Sequence, residues 1–104
     1  MKAEALKGHL DLLLLAALAG RPAHGYALVE RLRERSSGTF DLPEGTLYPA
    51  LHRLERAGLL KSRWSELSGR RRRVYQLTAV GQRQLAKRHA EWRVFASAVH
   101  AVVG

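Results

Sequence analysis

The sequence of 104 residues contains no cysteine, and this absence excludes several classes of protein. A disulfide-stapled secreted domain, a zinc site with thiolate ligands and an enzyme with a cysteine nucleophile all require cysteine. The five histidines offer no substitute, because no two of them lie four residues apart with a carboxylate between them. P-loop, dinucleotide-type glycine and GxSxG motifs are also absent. We therefore expect no metal, no cofactor and no catalytic site.

Long hydrophobic runs are also missing. The apolar run at residues 12–19 is far shorter than the roughly 18 residues that a membrane span requires. Two lysines precede this run, as in a signal peptide, but Glu4 and Asp11 neutralise the segment. We interpret the run as a buried helix of a soluble cytoplasmic protein, and a cleaved signal peptide is the alternative.

Acidic residues are scarce, since nine Asp and Glu face eighteen Lys and Arg, for a net charge of +9. Such a charge predicts a polyanionic partner, and the total fits nucleic acid and anionic membrane equally well. The excess is concentrated, because residues 61–75 carry six cations and one carboxylate, a net +5. A charge that served only solubility would be spread more evenly, so this segment is a candidate binding surface.

Apolar spacing predicts three helices in the first 60 residues. The first covers residues 6–19 and is apolar on nearly all sides, and the second covers residues 25–36. The third runs from about Pro43 or Thr46 to residue 57. Because proline lacks an N–H, Pro49 is least costly in a first turn, which favours a start near Thr46 with that threonine as the cap. A longer helix kinked at Pro49 is the alternative.

The remaining residues predict a hairpin and a last helix. Residues 60–65 alternate between apolar and polar types, and residues 74–77 supply further strand-favouring side chains. Ser68 and Gly69 form the turn between them. Thr78 is positioned to cap a long helix that reaches about Val103.

This order of elements describes a mainly α fold with a small β-hairpin wing, a winged helix-turn-helix. Residues 1–77 are expected to form the DNA-binding domain. Residues 78–104 are expected to form a C-terminal dimerisation helix that packs on the first helix, within one structural unit. A major groove of about 12 Å would admit the third helix.

Two sets of polar side chains are candidate contacts to double-stranded DNA. Arg53 is the best candidate for a bidentate contact to guanine, and Tyr48 for a hydrogen bond to phosphate. The alternative interpretation of both sets is ordinary solvated surface. The third helix contributes Thr46, Tyr48, Pro49, His52, Arg53 and Arg56, and the wing contributes Arg70, Arg71, Arg72 and Arg73.

Motifs along most of the chain carry a family resemblance. They are His24-Gly25-Tyr26, Gly45 to Leu51, Arg53-Leu54-Glu55, Gly58-Leu59-Leu60, Trp64, Gly69 to Arg72, Tyr75, Leu77, Thr78, Gly81 and Glu91-Trp92. At this spacing the sequence resembles the PadR family of winged-helix transcriptional regulators. It departs from the family at Val74-Tyr75, where two adjacent tyrosines are frequent. It also has a single C-terminal helix, which is similar to the short members.

The last helix predicts a homodimer. About 25 residues of helix span nearly 40 Å, more than one small domain covers, so the surplus apolar stripe needs a partner. The family resemblance also implies a homodimer, and an aromatic or hydrophobic effector whose pocket involves Trp92; simple packing of Trp92 is the alternative. The expected interface residues are Leu10, Leu13, Leu14, Leu85, Trp92, Phe95, Ala96, Val99 and Val103.

These observations predict a sequence-specific regulator of transcription without enzymatic activity. The resemblance implies a ligand-responsive repressor, and two-fold symmetry predicts a pseudo-palindromic operator. The alternative is a nonspecific nucleic-acid-binding protein, architectural or RNA-binding. A membrane partner is not expected, because the basic cluster lies in a hairpin and not on an amphipathic helix.

Overall fold

The computed structural model of the chain describes Leu6 and residues 8–104. Within them the chain forms four helices and a three-stranded antiparallel sheet with strand order β1-β3-β2, which confirms the predicted fold class. None of these helices combines the length and hydrophobicity of a membrane span. The elements are α1 (Leu10–Leu18), β1 (Ala23–His24), α2 (Gly25–Arg35), α3 (Glu44–Arg56), β2 (Leu60–Leu67), β3 (Arg70–Leu77) and α4 (Ala79–Val103).

The core lies where α1 is enclosed by its neighbours. This helix contacts α2, α3, α4 and β3, which explains why its sequence is apolar on nearly all sides. The helix expected over residues 6–19 is interrupted: Leu6 is helical, Gly8 and His9 form a turn, and α1 then runs from Leu10 to Leu18. Residue 7 of the expected helix lies outside the described residues. The predicted inner face of α3 is buried, with Leu47, Ala50, Leu51 and Leu54 all in the core.

The N-cap of helix α3 lies three residues before the one that the favoured prediction placed at Thr46. Pro43 is its N-cap residue, no side chain caps it, and Glu44 places a carboxylate in the first turn. That carboxylate stabilises the positive end of the helix dipole. Thr46 therefore lies inside the helix, and its predicted role as the cap is wrong. The longer helix with Pro49 in its interior is the one that forms.

The wing is the hairpin of β2 and β3. Its two-residue turn, Ser68-Gly69, has positive φ at both positions (54° and 74°), the geometry whose twist matches paired strands. The strands pair from Leu60 opposite Leu77 to Leu67 opposite Arg70. Sequence reasoning missed β1, whose two residues pair with Tyr75 and Val74. A two-residue strand has no periodicity of its own, because only its partner makes it a strand.

The junction between the wing and α4 is closely packed. The hydroxyl of Thr78 accepts a hydrogen bond from the Gly81 N–H at 2.9 Å, which confirms the predicted cap. The same hydroxyl donates to the Gly58 carbonyl oxygen at 2.6 Å. A side chain at Gly81 would collide with the Leu59 carbonyl, so glycine is required there. From this junction α4 extends beyond the domain and lengthens the molecule to 52 Å, against 28 and 21 Å across.

Candidate nucleic-acid interface

The exposed part of α3 and the wing face each other across one cleft. The cleft has a volume of about 500 Å³, and side chains from α2, α3 and both wing strands line it. Tyr48 and His52 come from α3, and Trp64 comes from β2. All four arginines of β3 line the cleft, so the structure brings the predicted wing residues together with two of the six predicted α3 residues, Tyr48 and His52. The other four, Thr46, Pro49, Arg53 and Arg56, do not line it.

The four consecutive arginines divide between the two faces of the wing, because side chains alternate along a strand. Arg71 and Arg73 lie on the face that carries Trp64, with their guanidinium carbons 4.7 and 5.2 Å from the centre of an indole ring. Arg70 and Arg72 lie on the other face, where they line a smaller cleft beside His24. Arg70 and Arg71 are exposed, and the other two are half-buried.

A chain of hydrogen bonds connects Arg73 to α3. Its Nε donates to the Ser62 Oγ at 2.8 Å, and the Ser62 hydroxyl donates to the Glu55 carboxylate at 2.7 Å. Together with the contact to Trp64, these bonds hold Arg73 in one orientation. Arg73 therefore stabilises the position of the wing relative to α3 through Ser62 and Glu55, in addition to carrying charge.

His24 stands where β1, α2 and the wing meet. Its Nδ1 lies 3.3 Å from the Ala27 N–H and caps α2, while its Nε2 lies 2.9 Å from Arg72 Nη1. A neutral imidazole has a single acceptor nitrogen, so the ring can accept from only one of these donors at a time. Partial burial, followed by the positive charges of Arg72 and Arg31, lowers the pKa of His24.

Gly25 and Tyr48 form a close contact between α2 and α3. A Cβ at Gly25 would collide with the Tyr48 hydroxyl, so the absence of a side chain makes room for the phenol. Tyr48 remains 37% exposed and lines the cleft. The two motifs His24-Gly25-Tyr26 and Gly45 to Leu51 thus meet in space, which nothing in their sequence spacing indicated.

The outermost residues of α3 are Pro49, His52 and Arg56, which are exposed, while Thr46 is half-buried. Arg53 lies on the flank of the helix that faces α1. Its Nη1 and Nη2 donate to the two carboxylate oxygens of Asp11 at 2.8 and 2.9 Å. The hydrogen bonds to Asp11 raise the pKa of Arg53. The bidentate geometry that a guanine contact would need is therefore occupied by Asp11.

Trp64, His24, Gly25 and Asp11 were not among the predicted site residues. Trp64 had one usable signal, because an aromatic side chain in a strand opposite alternating arginines is positioned for cation–π contact. Asp11 had none, since it is 42 residues away from Arg53 in the sequence.

The second half of α4 exposes an apolar stripe. Trp92 is 39% exposed and contacts the ring of His9 edge to face, with centroids 5.1 Å apart, and Phe95 lies 6.0 Å from Trp92. Val99 and Val103 continue the stripe and are exposed, with Ala96 half-buried beside them.

The expected dimer surface needs one correction on α1. Leu14 has 0% exposed surface and Leu10 has 8%, so both belong to the core of the single chain and offer almost no area to a partner. Leu13 and Leu85 are partly buried against the same core.

A cleft of about 250 Å³ lies beside Trp92, with Phe95, His9, Arg88 and Glu91 around it. This cleft leaves open space beside Trp92, the residue predicted to contact an effector. No group of three or more potential metal ligands occurs among the described residues.

Comparison of the sequence with known proteins finds transcriptional regulators among its relatives. A family model described as the transcriptional regulator PadR-like family matches residues 14–87. The chain is 40% identical over 74 residues to the transcriptional regulator Rv3488 of Mycobacterium tuberculosis, which covers 71% of this chain and 66% of that protein.

Solved structures resemble the whole chain. A transcriptional regulator from Clostridium thermocellum superposes with a TM-score of 0.89 at 26% identity, and the match covers 100% of this chain and 99% of the other. A PadR family transcription regulator from Clostridium difficile superposes with a TM-score of 0.83 at 36% identity, covering 93% of this chain and 100% of the other.

Proposed function

Because the chain belongs to the PadR-like family of transcriptional regulators, which are DNA-binding proteins without enzymatic activity, we propose that it binds a specific operator as a homodimer. The operator is pseudo-palindromic, and the bound protein represses transcription until a small effector releases it. The protein acts in the cytoplasm. The observation that supports this proposal most directly is the single cleft between the exposed face of α3 and the basic wing.

In this proposal α3 is the recognition helix and enters the major groove. Pro49, His52 and Arg56 are its outermost side chains and face the base edges. Arg70 and Arg71, exposed near the tip of the wing, contact the phosphates beside the same groove or enter the neighbouring minor groove. Phosphate contacts supply affinity and salt dependence, whereas base contacts supply the choice of sequence.

The homodimer is proposed because of the apolar stripe on α4. Val102 is 86% exposed, and Phe95 and Val99 are exposed as well. A contiguous apolar surface of this kind marks an interaction site, and a two-fold axis lets the same stripe on a second copy cover it. Two recognition helices related by that axis would bind half-sites one helical turn of DNA apart, about 10 base pairs, or a multiple of that distance.

The effector site is proposed to be the cleft beside Trp92. The indole and the Phe95 ring suit an aromatic or hydrophobic molecule. A ligand releases the protein from DNA only if it binds more tightly to a dimer whose recognition helices no longer match the operator.

Selection of bound duplexes from a random-sequence pool tests the function. We expect an enriched motif with two inverted half-sites, whose centres lie one or more helical turns apart. A pool that stays random, with equal affinity for all duplexes at matched salt, would identify a nonspecific nucleic-acid-binding protein instead. A motif without inverted symmetry would contradict the dimer and leave the DNA-binding assignment standing.

A further inference from the structure

Three helices meet at the carboxylate of Asp11. This residue lies in the first turn of α1, and its side chain is 19% exposed. Arg53 approaches it from the last turn of α3, and Arg88 approaches it from α4. These two helices carry the proposed DNA-reading face and the proposed dimer and effector surface, respectively.

The contact with Arg53 constrains α3. Both guanidinium nitrogens donate to Asp11, one to each carboxylate oxygen, at 2.8 and 2.9 Å. Two parallel bonds to a planar fork fix direction as well as distance, which a single bond does not. Because Arg53 lies on the flank of α3, the fork restrains rotation of the helix about its own axis, and that rotation decides where His52 points.

The contact with Arg88 is looser. Its Nη1 lies 3.6 Å from the same Asp11 oxygen that accepts from Arg53 Nη1. Its Nε is buried and has no hydrogen-bond partner among the described residues. Arg88 also borders the cleft of Trp92, which lies one helical turn further along α4. A movement of α4 therefore changes the distance between Arg88 and Asp11 directly.

We propose that Asp11 is a positioning residue of the DNA interface, which orients α3 through Arg53 and makes that orientation depend on α4 through Arg88. Asp11 carries the negative charge that both Arg53 and Arg88 approach. A displacement of Arg88 therefore alters the electric field and the packing around the two hydrogen bonds that Arg53 donates to Asp11. This inference rests on the proposed function and adds a route between its two surfaces.

Substitution of Asp11 tests the first half. We expect Asp11→Asn to lower the ratio of operator to random-duplex affinity at least tenfold, and Asp11→Glu to keep most of that ratio. Asp41→Asn is the matched control, because it makes the same change of charge at the ion pair with Arg33 on α2, with 2.8 Å between the charged atoms. Random-duplex affinity should rise equally in both Asn variants.

Arg53→Gln distinguishes positioning from base reading, and it serves if Asp11→Asn does not fold. A positioning role predicts that Arg53→Gln lowers affinity for the whole half-site as Asp11→Asn does, and that the double variant is no worse than either. Relaxed preference at a single base pair in Arg53→Gln, or an unchanged affinity ratio in Asp11→Asn, would overturn the proposal.

The second half is tested through the two tryptophans, which give separate ¹⁹F resonances after 5-fluorotryptophan labelling. We expect operator binding to shift both resonances in the unmodified chain. In Arg88→Gln the operator still binds and Trp64 still shifts, but the shift of Trp92 falls below half. Arg83→Gln, the same charge change on exposed α4 surface, is the control.

An undiminished Trp92 shift in Arg88→Gln would refute the link to α4. If the unmodified chain selected no motif from the random pool, the proposed function itself would fail, and this result is independent of every variant.

Discussion

The arginines of this protein differ in what holds them, although the sequence presents four of them as a uniform run. Arg72 contacts His24, and Arg73 is tied to Ser62 and to Trp64. Arg70 and Arg71 lie at the exposed end of the wing, where Arg71 is held only by its contact with the Trp64 ring. A side chain that is already held loses less conformational freedom when it binds, whereas an exposed one is free to follow the phosphates.

Replacement of the two exposed arginines, Arg70→Gln with Arg71→Gln, should weaken binding to all duplexes alike. If each contacts one phosphate in each protomer of the proposed dimer, four contacts are lost, and the slope of log K against log salt should flatten by about 3.6. Fluorescence anisotropy across a salt series measures this slope. A change in sequence preference with an unchanged slope would contradict the assignment of these residues to phosphates.

His24 predicts a pH dependence of stability. The folded-state pKa of His24 is lowered, so the unfolded chain binds more protons and stability falls as the pH drops through about 6.5, the ordinary value. His24→Asn retains an acceptor for the helix cap but cannot titrate. Urea unfolding at pH 7.5 and 5.5 should show a smaller loss of stability in this variant. His100→Asn, on the exposed end of α4, should lose as much as the unmodified chain.

At the scale of elements, two close contacts between neighbouring elements require glycine, because neither leaves room for a Cβ atom. Gly25 accommodates the Tyr48 hydroxyl, and Gly81 accommodates the Leu59 carbonyl. The second contact is with backbone, which cannot swing away as a side chain does. The angle between the wing and α4 is therefore rigidly determined at Gly81.

Gly81→Ala should destabilise the fold by about 1–3 kcal/mol, because the added methyl group forces α4 away from Leu59. Gly45→Ala is the control, since no atom lies within 4 Å of its added Cβ. That substitution should be neutral or stabilising by up to about 1 kcal/mol, through the better helix propensity of alanine. Urea denaturation of both variants compares the two effects. Equal stability of the two would contradict the close packing at Gly81.

Local patterns predicted most elements well. The start of α2, the two-residue turn of the wing and the Thr78 cap each depend on neighbours within a few residues, so the sequence carries the whole signal. The start of α3 was predicted too late, because the position of Pro49 received more weight than the helix-start signal of Pro43 and Glu44. The helix tolerates Pro49 in its interior, although this residue has no backbone N–H to donate. β1 was missed because it exists only as a partner of β3.

At the scale of the whole molecule, the shape predicts association. The 25 residues of α4 extend past a domain that covers only their first half, and the apolar side chains beyond Trp92 lie exposed. In the proposed dimer a second copy covers this stripe, and the dimer, not the single chain, would be the unit that binds DNA.

Val99→Asp should convert the dimer to a monomer at micromolar concentration. The two-fold axis places the new carboxylate in the interface twice, once from each protomer, and burial of each unpaired charge costs free energy. Val94→Asp is the matched control, because at about 100° per residue Val94 lies on the opposite side of α4 from the stripe. Both valines are exposed in the single chain, so neither change removes core packing. Sedimentation velocity measures the outcome, and a monomeric unmodified protein would refute the interface.

The sequence by itself determined the class of fold, the order of its elements apart from β1 and the location of the positive charge, because all three follow from local periodicity and composition. The tertiary structure decided which arginines are free and which are held. Asp11 lies 42 residues from Arg53, and His24 lies 48 residues from Arg72. Such pairs form only when the core brings distant helices and strands together, so a local pattern of charges cannot reveal them.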